Sequence, residues 1–180
     1  MSDILEVIRK RRSVRKFTEE EISSDQLQTV LEAGRWAPSW ANTQCWEVVI
    51  VRSQEKKEAL KETLVKGNPA ANALTQAPVV LAICGRVKTA GYYKGEVTTK
   101  FGDWLLFDLG LFTQNICLAA EEQGLGTVIV GLFDHDRAKE ILAVPQEVEL
   151  VAILPLGRPA HEPKVPERRS IEEFTHEEQY

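Results

Sequence analysis

The chain has no Walker-type phosphate loop, no GxGxxG and no GxSxG elbow, which removes the commonest nucleotide-binding and hydrolase readings. Its cysteines, Cys45, Cys84 and Cys117, are odd in number, far apart and in no CxxC pair, as expected of reduced thiols in a cytoplasmic protein. His135, His161 and His176 make no metal-ligand spacing with them. No long apolar run is unbroken: Asp108, Gln114 and Asn115 interrupt the most apolar helix, and Met1-Ser2-Asp3 lacks a signal peptide's apolar core. The expectation is a soluble protein with no membrane partner. With a net charge of −5 and a pI near 5.4, the surface lacks the basic excess on which nucleic-acid binding rests. There is no internal repeat and no low-complexity segment.

What is present is enough apolar material, 43% of 180 residues, for one domain spanning 1–180. Against the acidic balance stands one basic stretch, Arg11-Arg12-Ser13-Val14-Arg15-Lys16-Phe17. It reads either as a solvated or nucleic-acid-facing surface or as a phosphate clamp. In an extended segment, alternation puts Ser13, Arg15 and Phe17 on one side and Arg12, Val14 and Lys16 on the other, so at most half converge on one ligand.

Around it the periodicities predict alternating helices and strands. A short helix over Asp3–Lys10 groups Ile4, Leu5 and Ile8 on one face, and Ser23-x-x-Gln26 reads as a capping box ahead of a helix that stops by Ala37. The loop Ala37–Trp46 carries Ser, Asn and Gln between indoles, either as a connector plugging the core or as a seat for a planar heterocycle. Strands are expected at Glu47–Arg52, buried on both faces, and at Val79–Cys84, Thr127–Val130 and Glu149–Leu154. Ser53 caps a helix to Lys66, and Asn68-Pro69 opens a brief one. Gly85–Gly102 reads as a mobile surface excursion covering a site, or as a disordered decoration. Asp103–Gln123 is the longest helix, buried nearly all round, which points to a second subunit as part of its cover. Asp134 caps a helix through Ala143. The Pro-interrupted tail with Arg168-Arg169 has no core of its own, so it is disordered or held by a neighbouring subunit or a ligand.

Taken together, the Arg11–Phe17 stretch, Ala37-Pro38-Ser39 with Asn42-Thr43-Gln44 and Trp46, Gln114-Asn115 ahead of Gly124-Leu125-Gly126, and Gly157-Arg158-Pro159 with the later arginine pair resemble the FMN-dependent nitroreductase family. The resemblance spans essentially the whole chain. It implies an α+β fold with a central mixed sheet flanked by helices, in a domain-exchanged homodimer whose C-terminal extension, 160–180, reaches the partner subunit. It implies tightly bound FMN and NAD(P)H as electron donor, with a nitroaromatic, a quinone or a related small molecule accepting electrons in a ping-pong cycle. The alternatives are a flavin-binding sensor or store without turnover, and a specialised member acting in dehalogenation or flavin destruction.

By the same resemblance, Arg11, Arg12, Ser13, Arg168 and Arg169 belong on the phosphate and ribityl side, and Arg15 is the cation near the N1 and O2 edge of the flavin. Pro38, Ser39, Trp40, Asn42 and Gln44 would come from the other subunit. Val130, Gly131 and Leu132 would present backbone groups to the N5 and O4 side, and Asn72, with Asn68 competing, would turn to the pyrimidine ring. No protein side chain is required as catalytic acid or base, and no metal is implied. Two departures stand out: Cys45 replaces a proline of many members, and Val130 replaces an acidic residue of one subgroup. Both bear on substrate choice more than on the cofactor.

Overall fold

The computed structural model describes residues 3–180, so Met1 and Ser2 lie outside the described residues. Its centre is strand β2 (Val79–Arg86), buried at every position but the last. Successive strand side chains point to opposite faces, so an unbroken apolar strand needs a layer on each side. Val80, Ala82 and Cys84 enter one apolar cluster, and Val79, Leu81 and Ile83 enter another. Helices supply both layers. On the first face α3 (Gln54–Lys61), α4 (Ala71–Gln76) and α6 (His135–Leu142) bring Leu60, Leu74, Ala138 and Leu142. On the second, α2 (Ser24–Arg35) and α5 (Leu105–Glu122) bring Val30, Leu109, Phe112 and Ile116.

The sheet order is β1-β2-β6-β5, with β1 (Trp46–Val51), β6 (Val148–Gly157) and β5 (Gly126–Thr127), and each of these ladders is antiparallel. One parallel bridge, Ser13 to Thr127, makes the sheet mixed, as the α+β expectation has it. β6 runs past the expected Leu154 end and through Pro155, although proline lacks a ladder donor. Ile153 donates to Val130 at 2.9 Å, and two residues on Pro155 faces the same side, in the gap between Val130 and Thr127 where no donor is needed. A bulge between Ile83 and Cys84 leaves Val151 without a partner, so Leu150 and Ile153 enter the same cluster despite their odd spacing.

Several local expectations are corrected. β1 is not buried on both faces: it is the sheet edge, only half-buried, with Ile50 43% exposed. α3 stops at Lys61 rather than Lys66, because Thr63 turns its hydroxyl onto the Leu60 carbonyl at 2.7 Å and Leu64 bridges to Phe133. α1 (Ile4–Lys10) buries Val7, so Ile4, Leu5 and Ile8 face outward. On α5, Leu106 and Phe107 are exposed while Asp108 is buried.

Gly85–Gly102 is not featureless. It folds into a hairpin of β3 (Tyr92–Tyr93) and β4 (Glu96–Val97) across Lys94 and Gly95. Both turn residues are left-handed, at φ 51° and 84°, the twist a two-residue hairpin loop requires. The indole of Trp104 donates to the Thr99 hydroxyl at 2.8 Å and ties the excursion down. No helix among the described residues is long and apolar enough to cross a membrane.

Candidate functional site

The basic segment is pinned at both ends by backbone bonds. Val14 donates to the Thr127 carbonyl at 2.8 Å, Thr18 donates to Arg158 at 3.0 Å, and Ala160 donates to Lys16 at 3.0 Å. Val14 and Phe17, three residues apart, are both buried. This overturns the strict alternation expected of an extended strand. The segment is held by isolated bridges rather than a ladder, so its backbone turns between the two anchors. Instead of half of them, Arg11, Arg12, Ser13, Arg15 and Lys16 all line one cavity of about 610 Å³.

α4 adds Asn72 and Gln76 to the wall, and the tail adds His161, Lys164 and Arg168. Residues from opposite ends of the polypeptide thus meet around one space. No carboxylate lines it. The ion pairs of Lys10, Arg35, Arg86, Lys139 and Arg158 lie elsewhere. Arg12 turns inward on its own backbone, its Nη1 donating to the Arg9 carbonyl at 2.5 Å, which caps α1, and to the Arg11 carbonyl at 2.7 Å, whereas Arg15 makes only a long contact to the Ser13 carbonyl at 3.4 Å. Glu121 lies near Arg11 and Arg12 outside the cavity, but within it the cations share the space with no carboxylate, an arrangement that suits a multiply charged anion. Guanidinium groups suit phosphate oxygens because each planar fork donates two bonds.

The other site candidates fall in different places. Asn72 lines the cavity and accepts from Lys61 Nζ at 3.0 Å. Asn68 instead builds the turn before α4, its Oδ1 accepting from Ala70 at 2.9 Å. Arg169 does not line the cavity; its guanidinium lies 5.7 Å over the Phe174 ring. Sequence reasoning passed over Gln76, one helical turn beyond Asn72 on the same face, a spacing that was readable. It also passed over His161 and Lys164, whose place depends on how the tail folds back.

Pro38, Ser39, Trp40, Asn42 and Gln44 take no part in the cationic cavity of their own chain. Asn42 and Gln44 border a separate hollow beside Trp36. The Trp40 ring packs on Trp104 at 5.3 Å, and its amide donates to both carboxylate oxygens of Asp108, at 3.0 and 3.2 Å. Cys45 is buried beneath this loop. Burial, with the Asp108 carboxylate beside it, pushes the thiol up to about 12.

Val130, Gly131 and Leu132 also lie outside the cavity. Val130 spends its N–H and its carbonyl on Ile153, at 3.0 and 2.9 Å. The Gly131 carbonyl faces His135 Nε2 at 3.3 Å, and that of Leu132 accepts from Asn68 Nδ2 at 3.4 Å.

Residues 8–158 match the Nitroreductase family. The chain is 32% identical over 185 residues to the NADPH-flavin oxidoreductase of Vibrio harveyi, covering 100% of this chain and 75% of that protein. It is 30% identical over 191 residues to an FMN reductase (NAD(P)H) of Bacillus subtilis strain 168, with 100% and 75% coverage. The crystal structure of nitroreductase A from Vibrio parahaemolyticus superposes with a TM-score of 0.84 at 31% identity, covering 100% of this chain and 77% of that one. The chain belongs to the nitroreductase family.

Proposed function

We propose that this protein is an FMN-dependent oxidoreductase that takes electrons from NAD(P)H and passes them to a small organic acceptor such as a nitroaromatic or a quinone. The observation that carries the reading is the acid-free cavity in which Arg11, Ser13 and Arg15 meet Arg168. Its donor set fits the cofactor's phosphate. Guanidinium forks and a hydroxyl bind a dianion, and the Asn72 and Gln76 amides can donate to and accept from a neutral polyol. Flavin-reducing relatives over the full length of the chain support the same reading.

Bound FMN would supply the hydride-accepting chemistry. The chain's own part is to hold and to bias. Arg11, Ser13 and Arg168 fix the phosphate end, which fixes the position of everything attached to it. Arg15, largely unengaged by the protein, supplies positive charge that favours an anion forming near it. No side chain has to deliver a proton for this exchange, and donor and acceptor use one place in turn.

The active form would be a homodimer. Ile4, Leu5 and Ile8 on α1 and Leu106 and Phe107 on α5 form apolar surface that a second copy would remove from water. The Pro38–Gln44 loop, absent from its own chain's cavity, is then free to serve the partner's flavin, and the tail beyond Arg168 to lie over the partner.

The test is an absorbance spectrum of the purified protein, identification of the pigment released by heating, and anaerobic addition of NADH and NADPH. The expected result is FMN that one or both nucleotides bleach. A protein that binds no flavin, or whose flavin neither nucleotide reduces, overturns the proposal.

A further inference from the structure

The loop from Ser39 to Gln44 contains three non-glycine residues in the left-handed region, Ala41 at φ 43°, Asn42 at φ 56° and Gln44 at φ 48°. Side chains with a Cβ rarely adopt that conformation, and three within four positions need something to hold them. The loop's own bonds are few: Asn42 donates to the Ser39 carbonyl at 3.0 Å, Thr43 to the Trp40 carbonyl at 2.8 Å, and Gln44 to the Ser39 hydroxyl at 3.0 Å. Thr43 Oγ1 is buried without a partner among the described residues. The anchor comes from elsewhere. Asp108, 1% exposed, reaches from the first turn of α5 to the Trp40 amide 68 residues earlier, both oxygens in range, and accepts the Cys45 thiol at 3.8 Å.

Stability alone does not call for a carboxylate here. Burial raises the acid above its ordinary value, so its charge costs the fold, and a neutral isostere is often tolerated in such a place. What the charge adds is a stronger hold on the Trp40 amide, because a charge-assisted bond is about twice as strong as a neutral one.

We propose that Asp108 is a positioning residue. Through the Trp40 amide and the Cys45 thiol it locks the left-handed Trp40–Gln44 turn in the one shape that presents Ser39 and Asn42 to the flavin of a second copy. The inference rests on the flavin-enzyme reading for its last clause. The lock itself is a property of the free protein.

The experiment uses the full-length protein and two readouts. In the flavin-free protein, the Trp40 amide should exchange slowly with solvent, and Asp108→Asn should speed it about tenfold. In the FMN-loaded protein, the same variant should shift the flavin absorbance and fluorescence and lower kcat/KM for a quinone acceptor several-fold. Ala41→Gly relieves left-handed strain. Placed in the Asp108→Asn background, it should restore part of the flavin signature, which a merely structural role would not predict. If Asp108→Asn fails to fold, Cys45→Ala and Ala41→Gly in the native background take its place, with faster Trp40 exchange expected in the first. Unchanged exchange and an unchanged flavin spectrum in Asp108→Asn, or no rescue by Ala41→Gly, overturn the proposal. A wild-type protein that binds no FMN overturns the flavin reading and this proposal's last clause, while the exchange rates still decide the lock.

Discussion

The amide of Val14 donates to the carbonyl of Thr127 at 2.8 Å, and that bond fixes where Ser13 and Arg15 stand on either side of it. The approach is close because Gly126 has no side chain. A Cβ there would lie 2.5 Å from Val14 Cγ2 and 3.1 Å from Pro159 Cγ. Gly126→Ala should therefore destabilise the fold by about 1–3 kcal/mol through overpacking and should also weaken FMN binding by displacing the clamp. Urea unfolding and flavin titration read the two effects. A variant with wild-type values for both would show that Val14 gives way freely.

Arg11→Ala should weaken FMN binding by about 1.5–3 kcal/mol, the range for a lost bond between charged groups. The flavin dissociation constant decides it, and an unchanged constant removes Arg11 from the site. Thermal stability of the flavin-free protein should hardly move, since Glu121, the carboxylate that Arg11 attracts, keeps Arg12 and Lys10 beside it.

The two arginines of the tail should separate. Arg168 lines the cavity, whereas Arg169 sits over Phe174. Arg168→Ala should raise the FMN dissociation constant about tenfold or more, and Arg169→Ala should change it far less. Ending the chain at Ala160 should act like Arg168→Ala on flavin binding while leaving the urea midpoint of the flavin-free protein nearly unchanged, because the segment it removes contributes no buried side chain. A large loss of stability on truncation would mean the tail is part of the core.

The thiols give a pH test. Burial is the first cause raising Cys45 and Cys84, each from 9.0 to about 12, and burial raises Cys117 as well. The folded protein therefore keeps protons that the unfolded chain releases from pH 9.0 upward. Their contribution to stability is complete below pH 9.0 and is lost as pH climbs toward about 12. The urea midpoint should fall over that window, less steeply in Cys45→Ala. Below it, a thiol reagent should label none of the three cysteines until the protein is unfolded. Rapid labelling of the native protein would refute the burial of these groups.

Local signals were legible where the interacting residues are neighbours. The capping box of Ser23 and Gln26 is present with both of its bonds, Asp134 caps α6, and the apolar strand read at Val79–Cys84 is β2. Asn68-Pro69 was half right, since Asn68 caps a turn two residues ahead of the helix proper. The Lys94-Gly95 hairpin was missed because its strands are too short for a periodicity to show. The outward turn of Ile4, Leu5 and Ile8 was missed because a helical stripe shows that a helix has an apolar face and not what covers it.

By itself the sequence determined the order of the main elements, the cationic character of the Arg11–Arg15 segment and the family, because each rests on residue types at short or fixed spacing. Only the tertiary structure decided that five polar residues between Arg11 and Lys16 share one cavity, that Asn72 rather than Asn68 lines it, that Arg168 joins it while Arg169 does not, and that a buried acid on α5 holds the Trp40 loop. Those outcomes depend on contacts between residues far apart in the chain. Which such contacts form is settled by how the whole sheet and its two helical layers pack, and no local pattern carries that information.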